Sequence, residues 1–132
     1  MKKLTLTIEK KWFDLIASGE KKEEYREIKD HWCRRLLTFD ETLESGEFDE
    51  MVYDLNIPTD RHGDAADVMD YFGAWFGKYD AVLFIKGYSK TARRMLVDLN
   101  GVEIKQGRTE WGAEEGRMCF VLSLGAVVEG NQ

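Results

Sequence analysis

The sequence predicts an α+β fold, a small and partly open β-barrel with helices packed against its ends. Three observations carry this expectation. Leu4, Leu6 and Ile8 alternate with Thr5 and Thr7, the two-residue period of a half-buried strand. Short apolar runs over residues 81–85 and 118–124 read as buried strands. Ala65, Val68, Met69, Phe72, Trp75 and Phe76 recur at spacings of three and four, as on the apolar face of a helix.

Taken in order, the elements begin as β-α-β. After the first strand, Trp12, Leu15 and Ile16 predict a short amphipathic helix over 12–18. Gly19 stands where a left-handed helix cap favours glycine, the residue that takes positive φ without steric cost. Residues 23–28 extend as a strand, whose period places Glu24, Arg26 and Ile28 on one face and Glu23, Tyr25 and Glu27 on the other. Trp32, Cys33, Leu36 and Leu37 predict a second short helix over 31–37. Residues 39–63 are acidic and hold Ser45-Gly46 and the single proline, Pro58. They predict an exposed, mobile, irregular insert with at most one short strand over 51–57. Asp64 and Asp67 form a capping-box pattern before a helix running to Gly77, the one helix expected in the insert. Strands over 94–99 and 102–106 flank Asn100-Gly101, a strong two-residue hairpin signal. A last strand over 118–124 precedes Gly125 and an edge segment to Val128.

Length and charge bound the function. A chain of 132 residues suits a single domain with its own core, with an acidic insertion over about 39–80. No apolar run reaches the roughly 20 residues that span a bilayer, and Met1-Lys2-Lys3-Leu4 does not open a secretory signal. Cys33 and Cys119 are too few for a disulfide framework, so reduced thiols in a cytoplasmic protein are expected. Residues 39–80 hold twelve Asp/Glu against two Lys/Arg, whereas residues 1–38 hold seven against ten. A net charge of −6 opposes generic nucleic-acid binding, which rests on phosphate neutralisation. A local basic cleft beside the acidic segment stays compatible with it.

Chemistry concentrates at Gly19-Glu20-Lys21-Lys22-Glu23-Glu24-Tyr25-Arg26, a G-x-K-x-x-E-x-R pattern at a helix-to-strand corner. It gathers a lysine, a carboxylate and an arginine that suit a polar or anionic ligand. The plain alternative is an ion pair that closes the barrel end. Tyr88 and Lys90 emerge after the 81–85 strand, where base stacking and phosphate contact are natural. Glu110-Trp111-Gly112 sets an indole and a carboxylate at a rim, although a tryptophan there serves equally as a packing plug. Arg93 and Arg94 read as a solvated face. His31 with Cys33, and His62 among Asp60, Asp64 and Asp67, fall short of a zinc set of four spaced ligands. Neither a metal nor a cofactor is expected.

The motif and its surroundings resemble the ASCH domain, a branch of the PUA-like superfamily. The resemblance covers residues 1–38 and 80–128. Beyond the motif it rests on Leu4-Thr5-Leu6-Thr7-Ile8, Lys29-Asp30-His31-Trp32-Cys33-Arg34-Arg35-Leu36, Val82-Leu83-Phe84-Ile85-Lys86-Gly87-Tyr88, Glu110-Trp111-Gly112-Ala113 and Cys119-Phe120-Val121-Leu122-Ser123-Leu124-Gly125. It implies a PUA-like barrel that binds RNA, a nucleotide or a modified nucleoside in a cleft beside its flanking helix. Lys21, Glu24, Arg26, Tyr88, Lys90, Glu110 and Trp111 are the expected ligand-binding residues.

Some small ASCH-type proteins hydrolyse acylated cytidines with a lysine that activates a threonine three residues on. Lys21 matches that lysine, but Glu24 occupies the threonine position and removes the hydroxyl nucleophile. The favoured expectation is therefore a binding module. The alternative is a small metal-free hydrolase of single-stranded RNA or an acylated nucleoside, with Lys21 and Glu24 as a catalytic base and acid pair. A further reading is a protein partner, or self-association, through the acidic insert and its Phe72-Trp75-Phe76 face.

Overall fold

The structure is a computed structural model and describes residues 1–57 and 62–130. Pro58 and Asp60 lie outside the described residues. The fold is α+β, with a five-stranded sheet ordered β1-β5-β6-β7-β2 and a two-stranded sheet of β3 and β4. The elements are β1 (Lys3–Ile8), α1 (Lys10–Ala17), β2 (Glu23–Arg26), α2 (Asp30–Leu36), β3 (Thr38–Phe39), α3 (Ser45–Asn56), α4 (Ala65–Phe72), β4 (Ala74–Trp75), β5 (Ala81–Lys86), β6 (Arg94–Gln106) and β7 (Met118–Gly130). A 3₁₀ turn, Thr109–Trp111, lies between β6 and β7. By internal contacts the described chain divides into two compact units, residues 1–24, 79–101 and 122–130 in one and 25–57, 62–78 and 102–121 in the other.

In the first unit β1 runs parallel to β5, with Leu4 beside Val82 and Leu6 beside Phe84. Their alternation buries Leu4, Leu6 and Ile8, as the two-residue period requires. The strand β5 continues antiparallel into β6, with Phe84 beside Met95. Helix α1 seats Phe13 and Ile16 in this core and closes at Gly19, whose φ is 83°. Across the cap, the N–H groups of Glu20 and Lys21 both donate to the Leu15 carbonyl at 3.0 Å. Lys86 Nζ reaches Asp14 Oδ1 on α1 at 2.9 Å. This hydrogen bond holds the Asp14 carboxyl below the ordinary carboxylate range.

The hairpin expected at Asn100-Gly101 is corrected. Both residues lie within β6, a continuous strand of 13 residues. Gly101 does not take the positive φ that a type I′ turn needs. Instead β6 continues through them and pairs with β7. A Cβ built on Gly125 would sit 2.7 Å from Asn100 Oδ1, so glycine there admits the asparagine side chain. The edge segment expected after Gly125 is likewise part of β7.

In the second unit the expectation of an irregular, exposed insert over 39–63 is overturned by α3, where a strand over 51–57 was also expected. Phe48, Met51 and Leu55 share one helical face and are buried. The Glu47 carboxylate accepts the Glu44 N–H at 3.1 Å, one half of a capping box. Among its described residues the insert thus carries two helices, α3 and α4, rather than one. The Asn56 side chain ties α3 back to the Ile28 carbonyl at 2.9 Å. Helix α4 begins as expected, with Asp64 accepting the Asp67 N–H at 2.8 Å. It stops at Gly73, φ 65°, and not at Gly77. Trp75 consequently falls on β4, antiparallel to β3 and opposite Thr38. There its indole N–H donates to Asp40 Oδ1 at 3.2 Å. Phe76 follows and meets Phe120 edge-on, with ring centroids 6.2 Å apart. Cys33 and Cys119 are both buried thiols. No helix among the described residues is long and apolar enough to cross a membrane.

Candidate functional site

The motif residues occupy two distinct settings. Lys21 and Glu24 lie inside the first unit, only 1% and 5% exposed. Their charges meet at 3.4 Å, and the ammonium sits 4.8 Å from the centre of the Trp12 ring. A lysine this deep keeps its charge only through such partners, because desolvation disfavours an isolated ion. The turn after Gly19 directs it inward, and the two-residue period of β2 brings Glu24 to meet it.

Arg26 belongs to the second unit and lines a cleft of about 340 Å³, within the size range of small-ligand sites. Arg26 Nη1 donates to the Tyr25 carbonyl at 2.7 Å, and its guanidinium lies 5.1 Å from the Trp32 ring centre. Arg35 approaches the same indole at 5.3 Å. Lys29 and Arg117 bring two further cations to the cleft wall, and Glu27 and Glu114 bring two carboxylates. Arg117 Nη1 reaches Glu114 at 3.0 Å and its Nη2 reaches Glu27 at 3.9 Å. The Glu114 hydrogen bond, then the nearby carboxylate charges, push the Arg117 pKa still higher. It therefore stays cationic at every working pH.

Tyr25 is fixed from behind. Its hydroxyl accepts the Arg108 N–H at 3.0 Å. Its ring packs so close to Gly107 that a Cβ there would lie 2.5 Å from the ring edge. Arg108 then stacks on Trp111, 4.5 Å from the indole centre, and pairs with Glu110. The expected Glu110 and Trp111 thus join the Arg108 and Tyr25 group at the 3₁₀ turn. Tyr88 and Lys90 sit on the connection from β5 to β6, and Tyr88 is 94% exposed.

Sequence reasoning missed Tyr25, Lys29, Trp32, Glu114 and Arg117 as cleft residues. Tyr25 and Trp32 had a signal, since they flank Arg26 within the same run. Glu114 and Arg117 had none, because the approach of Arg117 to Glu27, just past β2, is a tertiary contact across about ninety residues. Among the described residues no three His, Cys, Asp or Glu side chains converge as a metal site would need. No family model, curated protein or solved structure matches the chain.

Proposed function

We propose that the chain is an ASCH-type, PUA-like binding module that holds a nucleotide, a modified nucleoside or the end of a short single-stranded RNA without turnover. The observation that carries this reading is the cleft itself, in which Tyr25, Arg26 and Trp32 stand beside Lys29 and Arg117. Aromatic and guanidinium planes suit a base, and the flanking cations suit a phosphate. The volume admits one nucleotide more readily than a duplex. The net acidity of the chain adds selectivity, because it repels long polyanions while the cleft attracts a small one. In this reading Arg26 contacts the ligand directly, and Lys21 with Glu24 holds the start of β2 from inside.

Tryptophan fluorescence and calorimetric titration with mononucleotides and short RNAs test it. Arg26→Ala should weaken binding by about tenfold or more, the scale of a lost charge-assisted hydrogen bond. Arg93→Ala, on an exposed residue, should leave binding unchanged. Equal losses from the two substitutions, or no binding by the parent protein, would remove the case for this cleft.

The hydrolase reading has one observation in its favour, the desolvated Lys21–Glu24 pair, since buried charge pairs are frequent at catalytic sites. Against it, the side chains lining the cleft include no serine or threonine hydroxyl. Product analysis after incubation with labelled RNA and acylated nucleosides separates the two readings. A turnover that Lys21→Met abolishes, with the fold intact, would favour the enzyme.

A further inference from the structure

The acidic insert builds a second concavity in the same unit, a groove of about 800 Å³. Its floor is apolar, formed by Met69 and Ala74 together with Phe76, Ile104 and Met118. Ile57 and Trp75 stand at its edge, 39% and 47% exposed. Soluble proteins seldom leave large apolar side chains clustered in water unless a partner covers them. Three carboxylates, Asp64, Asp70 and Glu103, line the groove, and none of its described lining residues is Lys or Arg. Asp64 also caps α4, and Glu103 is bridged to Lys105 at 3.0 Å. The wider segment, residues 39–80, holds twelve acidic against two basic side chains.

We infer that this groove docks a basic amphipathic segment of a partner protein, with apolar anchors on the Met69–Phe76–Ile104 floor and Lys or Arg side chains against the carboxylate rim. Charge complementarity selects this occupant over the others. A nucleic acid would bring phosphates to an acidic surface, where no counterion release rewards binding. A second copy of the chain would face carboxylates with carboxylates, and like charges across an interface oppose it. A basic helix or extended segment satisfies both parts of the groove, as amphipathic peptides do in other apolar grooves.

The test uses the full chain and two labelled synthetic peptides of one design, with leucines at i, i+3, i+4 and i+7. The remaining positions are lysine in one peptide and glutamate in its twin. Fluorescence anisotropy should show saturable binding of the lysine peptide, weakened by salt, and at least about tenfold weaker binding of the twin. The double variant Asp70→Lys with Glu103→Lys changes two exposed residues and should lose about tenfold in affinity for the lysine peptide. Ala66→Arg, on an exposed groove-lining position of α4, should block the groove while circular dichroism shows the fold unchanged. Equal binding of the two peptides, unchanged binding by both variants, or no saturation by about 1 mM would overturn the inference. A parent dimer in sedimentation that Ala66→Arg converts to monomer would also overturn it, by assigning the groove to a second copy.

Discussion

Replacing Lys21 by alanine should cost the protein stability before it costs any ligand. The Lys21 side chain has no exposure, that of Glu24 only 7%, and their charges lie 3.4 Å apart. Removing one member of a buried pair strips the other of its countercharge, at about 3–5 kcal/mol. The truncation also removes three methylenes of the buried stem, worth about 0.8 kcal/mol each, and the cation held over Trp12. These contributions overlap, so about 3–5 kcal/mol is the expected total. A domain is stable by only about 5–15 kcal/mol, so Lys21→Ala should stand near the edge of folding.

Urea denaturation followed by circular dichroism and tryptophan fluorescence measures this directly. Glu103→Ala, which breaks a pair with 45% and 58% exposed partners, provides the contrast and should change stability by less than about 1 kcal/mol. Lys21→Met keeps the stem and should still lose most of the stability. Lys21→Met combined with Glu24→Leu should recover much of it, because a buried pair replaced by apolar side chains leaves no orphaned charge. A loss below about 1 kcal/mol in Lys21→Ala would refute the argument. Combined with abolished ligand binding, that result would place Lys21 in the ligand site as a reacting or contacting group.

Gly107→Ala should destabilise the cleft, because the new methyl meets the Tyr25 ring at 2.5 Å and Ala113 at 2.7 Å. Overpacking of this kind costs about 1–3 kcal/mol, and a shifted denaturation midpoint with weakened nucleotide binding is the expected readout. Cys33 should resist thiol reagents at pH 8 in the native protein, since burial, then the charge of Asp30, pushes its pKa from 9.0 up to about 12. The sign follows for stability: the folded state holds the thiol protonated while the unfolded state ionises, so stability from this group falls as pH climbs from 9.0 towards about 12. Chemical denaturation of Cys33→Ala across that range should show a shallower decline than the parent. Asp14 behaves oppositely: its pKa is lowered by the Lys86 hydrogen bond. Its contribution is present above the unfolded carboxylate pKa and lost as pH falls through the folded one. Asp14→Asn should therefore flatten the acid limb of the stability curve.

Local signals were legible where one residue type decides the backbone. Gly19 closes α1 at positive φ, and Asp64 with Asp67 opens α4, both as their chemistry requires. Alternation located β1, and apolar runs located β5 and β7. The failures came where local signals compete with tertiary pairing. Asn100-Gly101 is a turn signal in an isolated hairpin, yet β6 runs continuously through it beside β7, and ladder hydrogen bonds outweigh a local turn preference. Phe48, Met51 and Leu55 carry a helical period that acidic composition and a glutamate cap obscured. Trp75 and Phe76 continue the α4 period in sequence, but Gly73 ends the helix first, since Asp40 and Thr38 offer β4 a partner strand.

The candidate site shows the same division between chemistry and environment. The motif singles out Lys21, Glu24 and Arg26 by residue type and spacing, and the fold gives them different surroundings. Spacing carries no term for desolvation, however, and desolvation decides their roles. Lys21 and Glu24 exchange water for each other and for Trp12, which makes them a structural commitment with a large penalty for change. Arg26, two residues farther along, keeps partial exposure and lines a cleft with Tyr25 and Trp32. If the proposed binding role of Arg26 holds, substitutions across this eight-residue pattern should separate into losses of folding at Lys21 and Glu24 and losses of binding at Arg26.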